Sequence, residues 1–201
     1  MSLNPILNRL EAWLQEAAPA VHASLQPGLG PAEFKALTTG LPFALPPQLA
    51  ELYAWHDGQT AESVLFDYFS FYPLATALGE YQQLRTVSQQ LEADHGFGFW
   101  PEGRLPLFGF EGEYFVLDCV PDALDGSHKL WFHFIEDSPR YWFNSLEQML
   151  EFLTQAFEKG LYRLDADGQC SADAKGLHGL RLKLVSPDAD QQPLHALSDT
   201  E

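Results

Sequence analysis

The stretch from Leu45 to Gln59, Leu-Pro-Pro-Gln-Leu-Ala-Glu-Leu-Tyr-Ala-Trp-His-Asp-Gly-Gln, constrains the fold more than any other part of this chain. A helix accepts proline only in its first turn, where the missing amide would be unpaired anyway, so Pro46 and Pro47 mark a helix start. Leu49, Leu52 and Tyr53 recur at helical spacing and make one apolar face. Gly58 is able to take the left-handed conformation that ends helices, so the helix is expected to stop at His56-Asp57-Gly58. A short helix punctuated at both ends and presenting an Asp-Gly turn leaves the rest of the chain little freedom around it.

The 201 residues suit one domain, or one domain with an appendage, and 46% hydrophobic residues with 13% aromatic ones are enough to fill a core. The net charge of −17, from 28 acidic and 11 basic residues, disfavours binding to phosphate backbones and to anionic membranes. It suits a basic protein partner, although solubility alone also accounts for an acidic surface. Cys119 and Cys170 read as unpaired thiols of a reducing compartment. No apolar run approaches the roughly 20 residues that span a bilayer. The N-terminus reads as an amphipathic helix carrying Arg9, Glu11 and Glu16, so a cytoplasmic protein is expected.

Asn4 and Pro5 are positioned to open that first helix, with Ile6, Leu10, Trp13 and Leu14 facing inward, Leu7 at the edge and Pro19 ending it. Residues 22–40 hold Pro27, Gly28, Gly30 and Pro31 and read as a connector with one helical turn near Phe34. Phe69 to Tyr72 reads as a strand. Pro73 then introduces a long helix whose face follows Leu78, Tyr81, Leu84 and Leu91, interrupted by Ser88, and which ends near His95-Gly96. Leu105 to Phe110, Tyr114 to Leu117 and Leu130 to Ile135 are apolar runs separated by Glu111-Gly112 and Asp125-Gly126, the pattern of an antiparallel meander. A short strand at Tyr141 to Phe143 precedes a helix capped by Asn144 or Ser145, with Glu147 or Gln148 closing the capping box. Leu146, Met149, Leu150, Leu153 and Phe157 form its face, and Lys159-Gly160 ends it. Beyond it, Asp165 to Gly168 reads as a turn, and the alternation of Leu180, Leu182 and Leu184 with Arg181 and Lys183 reads as an edge strand over Gly179 to Val185. Pro187 to Glu201 reads as a disordered acidic tail.

Leu45-Pro46, Leu49-x-x-Leu52-Tyr53 and His56-Asp57-Gly58 together resemble the signature of the SUKH superfamily, the SMI/KNR group. That group includes a yeast cell-wall assembly regulator and many bacterial toxin-immunity proteins. The resemblance runs from about Leu41 to Tyr162. It takes in a strand and helix (Phe69 to Tyr72, Thr76 to Ala93) and the Pro-apolar strand Leu105-Pro-Leu-Phe-Gly-Phe. A strand ending Leu117-Asp118 and the closing strand and helix from Trp142 complete it. It implies an α+β fold, a twisted, mainly antiparallel sheet flanked by helices. Residues 1–162 would form that domain and 163–201 an extension. The chain departs from the pattern where Gly112 is followed by Glu113 instead of Asp or Asn, so a site built on that turn would be altered. Leu45, Pro46, Leu49, Leu52, Tyr53 and Asp118 are the structural motif, with Asp118 expected to cap its strand end.

No catalytic constellation emerges from the residues themselves. His56-Asp57 has the types of an acid–base pair, but Asp in such turns bonds backbone amides and His favours helix ends. A Cys119 nucleophile with His133 as base would need a lowered thiol pKa and hydrogen-bond reach. Asp165 to Asp173 fails the calcium-loop pattern, because Gly168 stands at position 4 instead of 6 and position 12 is Gly176 instead of Glu. The histidines show no ligand spacing, and there is no phosphate loop or nucleophile elbow, so neither cofactor nor metal is expected. The reading that follows is a non-enzymatic binding domain of the immunity type, a monomer or weak homo-oligomer, with a basic, toxin-like protein partner and no nucleic acid or membrane. Its contacts are placed on the loop after the organising helix (His56, Asp57, Gly58, Glu62, Asp67) and on the hairpin at Glu111 and Glu113. A regulatory scaffold for a cell-wall or signalling pathway is the alternative, and a small hydrolase or sensor built on His56, Asp57 or Cys119 the third.

Overall fold

The computed structural model describes residues 2–60, 63–134, 138–165 and 169–194. The fold is α+β. Its centre is a five-stranded antiparallel sheet in the order β3 (Ser70–Phe71), β4 (Arg104–Phe110), β5 (Glu113–Asp118), β6 (Leu130–Phe134) and β7 (Arg140–Phe143). The meander runs through hairpins. At the β4–β5 turn Glu111 and Gly112 both have positive φ, 44° and 92°, as a tight turn matched to strand twist demands. Pro106 lies inside β4, where its missing amide would break a ladder. It is tolerated because the register shifts between Pro106 and Phe108, and the carbonyl of Leu107 accepts the amide of Tyr72 instead.

Both faces of the sheet are covered. The interior of β5 is therefore apolar at every position from Tyr114 to Leu117, with no alternation. Tyr114 points to α5 (Leu74–His95), where its hydroxyl meets Glu80, while Phe115 points the other way and lines an apolar cavity with Met149 and Leu153 of α6 (Leu146–Glu158). Ser88, the polar interruption on α5, is fully buried, and its hydroxyl accepts the amide of Trp100 at 2.9 Å. Ser145 is the cap of α6, accepting the amide of Gln148.

The N-terminal third departs from expectation. The buried face of α1 (Asn4–Ala17) is Leu7, Leu10 and Leu14, with Leu7 at its centre and Trp13 half-buried against Phe157 at 4.5 Å. Leu3, not Asn4, is the residue before the helix, and no side chain caps it. Pro19 not only follows α1 but opens α2 (Pro19–Ser24). The connector holds more order than one turn: β1 (Leu25–Pro27) and α3 (Pro31–Thr38), whose start is held by Glu33 accepting the amide of Gly30. The organising helix α4 (Pro47–Trp55) buries Leu49, Leu52 and Tyr53, but Gly58 does not end it. The chain leaves Trp55 directly into β2 (His56–Gln59), antiparallel to β1, and Gly58 takes its φ of 71° inside that strand. The close approach of Tyr72 and Pro73 decides this: a Cβ on Gly58 would stand 2.2 Å from the Pro73 nitrogen.

The C-terminal segment also differs. β8 (Tyr162–Leu164) and β9 (Cys170–Ala172) make a hairpin whose tip, residues 166–168, lies outside the described residues. The expected strand at Gly179 to Val185 is instead the helix α7 (Ala174–Leu184). Asp173 caps it by accepting the amide of Gly176, and Leu177, Leu180 and Leu184 recur at helical spacing against α6. Leu182, the residue that completed the apparent alternation, is exposed. Arg181 is buried with its guanidinium 3.9 Å over the Trp142 ring, and it donates to the carbonyls of Asp190 and Gln192. Those bonds, and Asp190 donating its amide to Tyr141, hold residues 187–194 in place where disorder was expected; 195–201 lie outside the described residues.

Candidate partner-binding surface

The expected contact residues divide into two groups. His56, Asp57 and Gly58 are turned to the interior. Asp57 Oδ1 accepts the amide of Leu74 at 2.8 Å and so caps α5 from a neighbouring strand. His56 is bonded through Nδ1 to the carbonyl of Gln26 at 2.7 Å and through Nε2 to Glu11 Oε2 at 3.0 Å. Gly58 is buried. The polar groups of this turn are spent on the fold.

The second group meets at one end of the sheet. Pairing of β3 with β4 and of β4 with β5 brings the turn Phe66 to Phe69 beside the tip of the β4–β5 hairpin. The Tyr68 hydroxyl donates to Glu113 Oε2 at 2.5 Å, and the Tyr68 ring lies 5.1 Å from that of Phe110. Burial, and then the adjoining Glu113 carboxylate, push the Tyr68 phenol well above its ordinary range, so it stays a donor at any physiological pH. Phe110 is 41% exposed and Glu111 is exposed beside it. Asp67 has a φ of 54° and donates its amide to Cys170 Sγ at 3.2 Å. The result is an acidic rim, Asp67, Glu111 and Glu113, around the aromatic pair Tyr68 and Phe110. Glu62 lies outside the described residues. In the sequence, Tyr68 belongs to the aromatic run Phe66 to Tyr72, a candidate cleft lining beside Asp67, Glu111 and Glu113, and Phe110 ends the apolar run from Leu105.

Asp118 accepts the amide of Val120 at 3.1 Å, which closes the end of β5, and lies 3.6 Å from Arg104. Cys119 beside it is buried, and burial raises its thiol to about 12. His133 pairs with Tyr114, five residues up the strand from Cys119 or roughly 17 Å away, and burial against Trp100 lowers the imidazole to about 4. The two do not form a nucleophile–base pair. Pro46 and the inner face of α4 are buried, and Leu45 packs partly buried against the core.

One cluster escapes sequence spacing altogether. Glu11 of α1, His22 of α2 and His56 of β2 converge from three elements, with potential ligand atoms within 4.8 Å of one another. Glu11 Oε1 lies 2.7 Å from His22 Nε2 and also accepts from Gln15, while Oε2 accepts from the Trp55 indole at 3.0 Å.

The family model described as SMI1 / KNR4 family (SUKH-1) matches residues 28–151. This chain belongs to that family. The match to the SMI1 / KNR4 family begins earlier than the motif stretch, at Gly28 in the connector, and ends inside α6, so α1, α2 and α7 stand outside it. No curated protein matches the chain significantly. Among the described residues no helix is long and apolar enough to cross a membrane.

Proposed function

We propose that this SUKH-type domain is a non-enzymatic protein-binding module that neutralises a basic toxin, acting as an immunity protein. The observation that carries the reading is the rim of Asp67, Glu111 and Glu113 around an exposed Phe110, in a chain of net charge −17. Aromatic anchors ringed by charge are what desolvated contacts with steered association need. A nuclease is the natural target class, since its surface is basic where it meets phosphate and an acidic rim stands in for that substrate. The buried thiol of Cys119 supports a role without covalent catalysis.

The test is affinity capture from lysate of the source organism, eluted across a salt gradient, followed by titration of the captured partner. Wild type is expected to hold one basic partner, and Glu111→Lys combined with Glu113→Lys to weaken it about 10–100-fold, more at low salt than at high. Equal affinity in the variant would refute this surface. A mixed set of weak partners would favour a regulatory scaffold instead, the role suggested by the family's cell-wall regulator.

A further inference from the structure

We propose that Glu11, His22 and His56 form a site for one divalent transition-metal ion of the Zn²⁺ type. The site joins α1, α2 and the strand that follows the organising helix. Two imidazoles and one carboxylate are the donor set of open four-coordinate zinc sites, and imidazole nitrogens select against Ca²⁺ and Mg²⁺.

The hydrogen bonding around His56 points the same way. Its Nδ1 lies 2.7 Å from the Gln26 carbonyl, so that nitrogen must carry a proton. A neutral ring then turns the Nε2 lone pair toward Glu11 Oε2 at 3.0 Å, acceptor against acceptor. A proton shared between the two atoms satisfies that contact, and so does a metal ion bound to both. A bond from Nδ1 to a backbone carbonyl is also what orients metal-ligating histidines and fixes their tautomer. Glu11 is braced in turn by Gln15 and by the Trp55 indole, supporting contacts that leave the carboxylate in place when the imidazole protons go.

The geometry requires little movement. Zinc bonds of about 2.0–2.1 Å place ligand atoms about 3.3 Å apart, so the 4.8 Å limit of this cluster implies closure of at most about 1.5 Å. The His22 side chain is 30% exposed and that of Glu11 25%, which opens a path from solvent and leaves water for the fourth position. A net charge of −17 concentrates cations at the surface.

The experiment uses the full chain, freed of metal by chelator and titrated with Zn²⁺ by calorimetry at pH 7.5. One ion per chain is expected. His22→Gln and Glu11→Gln should each weaken it by more than about tenfold, while His95→Gln, at an exposed position distant in sequence, should not. No saturable binding, or undiminished affinity in both ligand variants, overturns the site. Co²⁺ gives a second readout that does not depend on those variants folding. The Trp55 ring lies 4.5 Å from that of His56, so bound Co²⁺ should quench its fluorescence, and Trp55→Phe, which keeps the three ligands but removes both the fluorophore and the indole bond to Glu11, should lose that quench. A quench unchanged in Trp55→Phe places the metal elsewhere and overturns the proposal.

Discussion

At Gly58 the backbone φ of 71° coincides with a Cβ position already occupied by the Tyr72 carbonyl carbon and the Pro73 nitrogen. Left-handed strain and backbone collision add, so Gly58→Ala should cost at least about 2 kcal/mol, read as a lower urea midpoint at unchanged slope. The adjoining Asp57 offers a milder test. Asp57→Ala removes only the bond to the Leu74 amide and should cost about 1 kcal/mol, the usual worth of a helix cap. Equal losses at the two positions would contradict this division of labour. The cysteines give a chemical test at the same scale. Burial raises Cys119 to about 12 and Cys170 to about 11, so a thiol reagent at pH 7.5 should label neither quickly until denaturant is added. Rapid labelling of Cys119 in the native protein would reopen the hydrolase reading.

At the scale of elements, α7 is where local pattern and structure part most clearly. Leu180, Leu182 and Leu184 alternate as a strand would, yet Leu177, Leu180 and Leu184 also repeat as a helix would, and both periods coexist in this short run. Burial against α6 and the Asp173 cap decide for the helix. Gly179 lies in its interior, and a Cβ there would meet nothing within 4 Å. Gly179→Ala should therefore stabilise the protein by about 0.5–1 kcal/mol through helix propensity, a rise of roughly 1–4 °C in Tm. A fall in Tm would contradict the helix. The meander, by contrast, was legible element by element. Its turns carry their own chemistry at Glu111-Gly112, and its strands are apolar runs of strand length.

For the whole molecule, charge sets the response to solution conditions. The exposed pairs of Arg9 with Glu151 and Glu158, at 3.0 and 2.7 Å, each contribute under about 1 kcal/mol. Self-repulsion at net −17 outweighs them, so raising ionic strength from about 0.01 to 0.15 M, which shortens the screening length from about 30 to 8 Å, should raise Tm. A fall would mean that local pairs dominate. Acid acts through Glu11 as well. Burial pulls its carboxyl upward, but bonds to His22 and His56 outweigh that and hold it below the ordinary range. A depressed folded pKa stabilises above the unfolded value, about 4.3, and that contribution is lost as pH falls through the folded value. The stability gap between wild type and Glu11→Gln should thus be widest near neutrality and close below about pH 4 in urea titrations. A gap unchanged at pH 3 would refute the linkage.

The amino-acid sequence by itself determined the features whose cause is local. Prolines and helical apolar spacing placed α4, turn residues and short apolar runs placed the meander, a capping box placed α6, and the motif around His56-Asp57-Gly58 pointed to the family that the match over residues 28–151 establishes. Tertiary structure alone decided what those motif residues do. Asp57 caps a helix 17 residues ahead, and Gly58 makes room for Tyr72 and Pro73. Tyr68 reaches Glu113 across 45 positions, and Glu11, His22 and His56 converge from three elements. Spacing along the chain carries the repeat of a helix or a strand but not the packing that brings distant segments together. A polar side chain's role depends on which partner that packing sets within hydrogen-bond reach.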